Sequence, residues 1–337
     1  MDAFKHSVVS QSTYLNVCDA VLSSFTIQMI FFYENAAGAD NFMDRKRLEQ
    51  AFYKALLAVP GYAGVAQTRA DGRLELVIDK DNLNMPVYRD FESDVSFSDL
   101  KASGYNPKDW PAGLLSKGAI PLPDPETGVT SMLDANVVRC KDNTGVIIYV
   151  CCHHVVGDGN SVYAFVRRWA DEMRAMVDGT PAPDYPLDFD RSSIFDFPNS
   201  ETPGLSEVEK ANLQSMFSTS VNQKEHDEIV NGGYDSNLYL VKRADLDHLR
   251  SEALQYVPEN TRLSTNDVVT ALMSKLLAWA VKDSSADEAY QESTTADEAA
   301  AEPLQSIAIA YNIRPLLGES FKDFIGNGLY IPAFSHP

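Results

Sequence analysis

The sequence predicts an α/β fold, and three observations carry that reading. Gly145-Val146-Ile147-Ile148-Tyr149-Val150 is a short apolar, β-branched run of the kind that buried strands use. Leu48, Ala51, Phe52, Ala55 and Leu56 recur at helical spacing between Asp44 and Ala58, with Asp44 placed as N-cap and Pro60-Gly61 as the stop. Stretches of both kinds then recur along all 337 residues, a length that suits about two domains of ordinary size.

Taken in order, residues 14–35 give a helical turn and then a strand through Phe25–Tyr33. After the Asp44–Ala58 helix, Gly64–Gln67 and Arg73–Ile78 flank Asp71-Gly72, a hairpin signal. A short helix is expected around Phe97–Lys101, and an extended proline-rich loop over Ala119–Pro125. Met132–Cys140 and Gly145–Val150 form a second hairpin around Asp142-Asn143. Cys151 and Cys152 continue that strand, where neighbours alternate faces, and both read as small core residues. Apolar spacing from Ser161 to about Val177 predicts a helix that Asp178-Gly179 stops. Thr180–Pro203, with its five prolines, reads as a linker. Beyond it, Leu205–Phe217 is expected to be helical, Leu238–Val241 a strand and Ala244–Glu252 a helix. Ser264-Thr265-Asn266-Asp267 has the form of a capping box opening the apolar helix Val268–Ala280. Ser284–Pro303 reads as a solvated loop, and Ser306–Asn312 and Gly328–Phe334 as strands.

Composition narrows the function. The formal net charge of -20 argues against a nucleic-acid partner, whose phosphates need a basic surface, and equally against anionic membranes. The longest apolar run, Phe25–Tyr33, is too short to span a bilayer. The first residues lack a charged segment followed by an apolar core, so no signal peptide is expected. The four cysteines, Cys18, Cys140, Cys151 and Cys152, form no metal-binding spacing. A reducing, cytoplasmic setting is the expectation.

The chemistry points to Cys151-Cys152-His153-His154-Val155-Val156-Gly157-Asp158-Gly159-Asn160, on the turn between the predicted strand and helix. A neutral imidazole is the side chain best matched to taking a proton near neutral pH, which makes His154 the candidate general base. Asp158 is too short to reach its own histidine around a glycine-kinked turn, so it is expected to anchor the loop on a cation elsewhere. Gly157 and Gly159 are expected to supply positive φ and close backbone approach. His-x-x-x-Asp alone is a weak signal. The full His-His-x-x-x-Asp-Gly after a buried strand is far rarer, and none of His6, His226, His248 and His336 has Asp at the fourth position after it.

His153–Gly159 resembles the signature of the BAHD acyltransferases and of the related condensation domains of peptide synthetases. The likeness extends to Tyr14-Leu15-Asn16-Val17-Cys18-Asp19, to Arg47–Phe52 with Val59–Gly64, and to Asn312-Ile313-Arg314-Pro315 and Phe324-Ile325-Gly326-Asn327. It implies two chloramphenicol-acetyltransferase-like α/β halves with mixed sheets and flanking helices. Residues 1–180 are then the half carrying the turn, 181–203 the linker and 204–337 a partial second half. The family's later Asp-Phe-Gly-Trp-Gly motif has no counterpart before Pro337, so the second half is expected to be truncated.

The resemblance also implies a reaction. His154 takes the proton from an alcohol or amine acceptor, the acceptor attacks the acyl-CoA thioester directly in a ternary complex, and His154 returns the proton to the leaving sulfur. Acyl-CoA is a co-substrate, and no cofactor or metal is expected. Asp158 is structural and Arg314 is its expected partner. Gly159 and His153 shape the turn. Ser264 and Thr265 open a helix whose start is expected to meet a phosphate or pantetheine amide, or else to serve only as a cap. Asn327 is expected at the substrate. The complete protein is expected to be a monomer. Two alternatives stand beside this reading: a condensation-type domain using a carrier-protein thioester, and a truncated, inactive binding protein.

Overall fold

The computed structural model describes residues 1–15, 19, 22–70, 74–116, 121, 128–185, 187–191, 239–284, 305–330 and 333–336. The chain divides into two compact units, Met1–Ser236 with Tyr311–Tyr330, and Asn237–Ala310 with Ile331–Pro337.

In the first unit α1 (Asp2–Ser7) leads to β1 (Gln11–Tyr14) and β2 (Thr26–Glu34). Next come α2 (Arg45–Ala58), β3 (Val65–Thr68), β4 (Leu74–Ile78), β5 (Val87–Glu92) and α3 (Phe97–Ala102). β6 (Leu133–Arg139) and β7 (Gly145–His153) follow, and α4 (Gly159–Asp178) leaves the end of β7. A small antiparallel sheet has the order β1-β4-β3. The larger sheet, β2-β7-β6-β5, is mixed: β5 runs parallel to β6 and the other pairs are antiparallel.

β7 lies between two neighbours and is covered on both faces, so all nine of its residues are buried. That explains its unbroken apolar reading. Val146, Ile148, Val150 and Cys152 face the main core, built with Leu48, Phe52 and Leu56 of α2 and Phe165 and Trp169 of α4. Ile147, Tyr149 and Cys151 face a smaller core with Phe97 and Leu100 of α3. The two adjacent cysteines thus sit on opposite faces, as strand alternation requires. Phe52 meets Phe165 edge-on at 5.8 Å and Trp169 at 5.1 Å between ring centres, which ties α2 to α4. The Trp169 indole N–H donates to the Leu48 carbonyl at 2.9 Å, so its polar atom is not stranded in the core. The sharp turn between β6 and β7 places Asp142 and Asn143 at φ of 55° and 54°, a conformation those two residue types tolerate best.

Of the stretch 181–203, expected as a linker, residues 186 and 192–203 lie outside the described residues. Leu187 and Phe189 pack on the main core, Asp188 bridges to Phe324, and Arg191 is fully buried. The Leu238–Val241 strand is not formed over Tyr239–Val241. These residues are exposed and, among the described residues, no strand pairs with them. The described residues of Ser306–Asn312 and Gly328–Phe334 pair in two separate ladders, one in each unit. In the first unit β9 (Tyr311–Asn312) pairs with β10 (Leu329–Tyr330), around α7 (Arg314–Leu317). In the second unit β8 (Gln305–Ala308) pairs with β11 (Ala333–His336).

The second unit also contains α5 (Arg243–Ala253) packed on α6 (Thr265–Ser284). Met273, Leu276, Leu277 and Trp279 of α6 are exposed. The Asp71-Gly72 turn, most of Ala119–Pro125, the Leu205–Phe217 helix and the Ser284–Pro303 loop lie wholly or almost wholly outside the described residues.

Candidate active site

The site is built where β7 ends. The Thr26–His153 register carries the ladder up to His153, and the His154 amide donates to the Phe25 carbonyl at 3.0 Å. The chain then turns, with Val156 N–H donating to the His153 carbonyl at 3.1 Å. His153 is buried, and its Nδ1 accepts from the Val155 amide at 3.2 Å. Its ring is therefore committed to the backbone of the turn.

Asp158 is the N-cap of α4, accepting from Ser161 N–H at 3.0 Å and from the Ser161 hydroxyl at 3.1 Å. The same carboxylate takes the Arg314 guanidinium in two bonds of 2.7 and 3.0 Å, and the Gly328 amide at 3.0 Å. Asp158 is fully buried and Arg314 is 2% exposed. Arg314 also donates to the carbonyls of Phe324 at 3.0 Å and Gly326 at 2.8 Å. Two charges in such a place are tolerable only when paired and hydrogen-bonded throughout, and these are.

The glycines act differently from expectation. Neither Gly157 nor Gly159 has positive φ. Gly157 is needed for close approach, since a Cβ there would lie 2.5 Å from Ser161 Cβ. A Cβ on Gly159 would meet nothing nearer than Met29 Cε at 3.8 Å, because Gly159 is an ordinary first residue of α4.

Sequence reading missed a second buried ion pair. Arg191 Nε donates to Asp19 Oδ2 at 2.8 Å, with both side chains wholly inaccessible. Arg191 also donates to the Val156 carbonyl at 2.6 Å. Asn327 joins the pair through its backbone N–H and its Nδ2, both onto Asp19 Oδ1, at 3.1 and 2.7 Å. Its Nδ2 donates as well to the His154 carbonyl at 2.7 Å. Asn327, expected at the substrate, is instead buried beneath the turn and engaged by it. Asp19 closed the opening stretch that carried the family resemblance, which was the available signal. Arg191 was hidden in a proline-rich segment.

His154 itself is half-buried. Burial pushes its pKa below the usual histidine range. The Asn327 carboxamide, its own backbone carbonyl and the carboxylates of Asp158 and Asp19 pull it partly back. Near neutral pH the imidazole is therefore uncharged, the state a proton acceptor needs. Its Nδ1 is buried without a hydrogen-bond partner among the described residues, and so is Asn327 Oδ1.

Ser264 and Thr265 lie in the second unit. The Ser264 hydroxyl accepts from the Asp267 amide at 3.2 Å, and the Asp267 carboxylate accepts from the Ser264 amide at 2.7 Å. This reciprocal cap opens α6.

A buried central strand ending on His-His-x-x-x-Asp-Gly, with the aspartate paired to a buried arginine, is an architecture of the BAHD acyltransferase family. Residues 5–331 match the model of the transferase family, and the chain belongs to that family. It is similar to shikimate O-hydroxycinnamoyltransferase of Nicotiana tabacum, 28% identical over 160 residues that make up 47% of this chain and 34% of that one. The matched stretch thus spans about a third of that relative's length. Among solved structures it is similar to F. graminearum TRI101 complexed with ethyl coenzyme A, with a TM-score of 0.62 and 15% identity over 97% of this chain and 70% of that one. Vinorine synthase gives a TM-score of 0.56 at 15% identity, over 97% of this chain and 70% of that one. The first condensation domain of the CDA synthetase gives 0.53 at 12% identity, over 96% and 68%. These likenesses establish the fold.

Proposed function

We propose that this protein is an acyltransferase that moves an acyl group from an acyl-CoA thioester to an alcohol or amine, with His154 as general base. One observation carries the proposal. His154 is a half-buried imidazole, its pKa held below the usual histidine range by burial, at the end of a fully buried strand and on a turn bound by two buried ion pairs. Such a group has the protonation state and the fixed position that proton abstraction requires.

In the reaction the acceptor O–H or N–H gives its proton to His154 as its oxygen or nitrogen attacks the thioester carbonyl. Collapse of the tetrahedral intermediate breaks the carbon–sulfur bond, and the proton passes from His154 to the departing thiolate. No covalent enzyme intermediate is required, because the thiolate leaves readily. Support for the donor class comes from relatives: TRI101 has been solved with coenzyme A together with T-2 or deoxynivalenol, and the tobacco relative is named for O-acylation of shikimate. The condensation-domain likeness supports a second reading, in which the thioester is borne by a carrier protein. The coenzyme A-bound TRI101 structure, with a TM-score of 0.62 against 0.53, favours free acyl-CoA.

The test is release of free thiol from a panel of acyl-CoA thioesters, dependent on an added alcohol or amine, with the acylated product identified by mass. His154→Ala is expected to lower the rate by about two to four powers of ten. His153→Ala, which removes only a brace on the turn, is expected to cost less. Transfer that survives in His154→Ala overturns the assignment.

A further inference from the structure

We infer that the buried Asp19–Arg191 pair is a positioning device for His154, acting through Asn327; the inference rests on His154 being the base. Replacing a buried ion pair by apolar residues of similar volume is often neutral or stabilising. Stability is thus a weak reason for this pair, and its contacts suggest another. It touches the turn at two carbonyls, those of Val156 through Arg191 and of His154 through Asn327.

Asn327 is the informative member. Its amide nitrogen carries two hydrogens, and both have acceptors: Asp19 Oδ1 at 2.7 Å and the His154 carbonyl at 2.7 Å. A flipped carboxamide would set its oxygen against a carboxylate and a carbonyl, acceptor against acceptor. Asp19, itself held by Arg191, thus fixes which way Oδ1 points.

That oxygen and His154 Nδ1 are both buried and both lack a partner among the described residues. The carboxamide lies against the imidazole and favours its protonated form. The carboxamide and the His154 carbonyl both favour a proton on the ring. Placed on Nδ1, the buried nitrogen, that proton answers an acceptor and leaves Nε2 with a free lone pair for the acceptor substrate. On Nε2 it leaves Nδ1 and Asn327 Oδ1 as two buried lone-pair atoms without a donor. The relay from Arg191 to Asp19 to Asn327 thus adds to the His154 carbonyl in selecting the tautomer that can act as a base.

The experiment reads the tautomer directly, without substrate. The full 337-residue chain, labelled with ¹⁵N-histidine, is studied by long-range ¹H–¹⁵N correlation at about pH 8, above the ordinary imidazole range. His154→Gln assigns the signal. The wild type is expected to show His154 protonated at Nδ1. Asp19→Asn keeps the shape but turns a donor toward Arg191 or Asn327, and Asn327→Ala leaves the ion pair intact. Each is expected to shift His154 toward the Nε2–H form. Each is also expected to lower kcat roughly 10- to 100-fold with little change in KM. A purely structural role would reduce the folded fraction and leave the tautomer alone. An Nε2–H imidazole in the wild type, or an unchanged tautomer in either folded variant, overturns the inference. Should Asp19→Asn fail to fold, the wild type and Asn327→Ala still decide it. An Nδ1–H tautomer in a protein whose transfer survives His154→Ala would count against His154 as base, and not against the relay.

Discussion

Two buried ion pairs hold one turn, and they hold different parts of it. Asp158–Arg314 secures the start of α4 and the Gly326–Gly328 backbone. Asp19–Arg191 secures the carbonyls of Val156 and, through Asn327, of His154 itself. The first pair fixes where the helix begins, and the second fixes how the imidazole stands. Loss of the first should therefore be felt in stability before activity, and loss of the second in activity before stability.

The largest expected effect is on folding. Asp158→Ala removes the acceptor for the Ser161 amide and hydroxyl, the Gly328 amide and both Arg314 nitrogens. It leaves Arg314 buried and uncompensated, at a cost of about 3–5 kcal/mol. Asp19→Ala is expected at the low end of that range or below it: each arginine keeps two carbonyls in its variant, but Asp158→Ala also strips the N-cap from α4. Asp158→Asn should do less harm than Asp158→Ala, because an amide still caps α4. Urea unfolding followed by far-UV circular dichroism ranks the three variants. A larger loss in Asp19→Ala than in Asp158→Ala would break the division of labour between the pairs.

The two pairs also differ in how far the sequence discloses them. Asp158 sits inside a motif, and its partner lies in a second segment that carries the family resemblance, so the resemblance could name both Asp158 and Arg314. The strands and helices around them were legible for a local reason: β6, β7, α2 and α4 obey local periodicity, and their cores follow from it. Arg191 obeys no period. It is buried because Leu187 and Phe189, four and two residues before it, pack on the core and carry the chain over the turn. Nothing local in a proline-rich stretch announces that. The two separate ladders of 305–312 and 329–336 were hidden for the same reason, since nothing local shows which unit each residue joins.

The two glycines that flank Asp158 sharpen the comparison on a smaller scale. Gly157→Ala would drive a methyl group into Ser161, whose hydroxyl ties Asp158 to Gly326, and should cost about 1–3 kcal/mol. Gly159→Ala makes only an ordinary contact with Met29 in the first turn of a helix and should be neutral or stabilising by about 0.4–1 kcal/mol. Thermal unfolding of the two variants reads the contrast directly. Equal destabilisation would mean that Gly159 is needed for something other than room.

The smallest effect, on pH dependence, discriminates most finely between the pairs. Burial, the leading influence on His154, lowers its pKa, so the folded protein favours the neutral ring below the ordinary value of about 6.5. The unfolded chain takes up the proton first as pH falls. His154's contribution to stability is therefore complete above that range and is lost as pH drops toward its folded pKa. The acid limb of the rate should likewise fall below the ordinary histidine range. The Asn327 carboxamide opposes burial most, followed by the His154 carbonyl, Asp158 and then Asp19. On charge alone, Asp158→Asn should move the acid limb further down than Asp19→Asn, each variant leaving one arginine, Arg314 or Arg191, unpaired nearby. If Asp19 works by aiming Asn327, the order reverses, because Asp19→Asn then releases the stronger opposing group as well. We expect the reversed order in the pH profile of kcat. The charge-only order would leave Asp19–Arg191 as a second structural brace and nothing more.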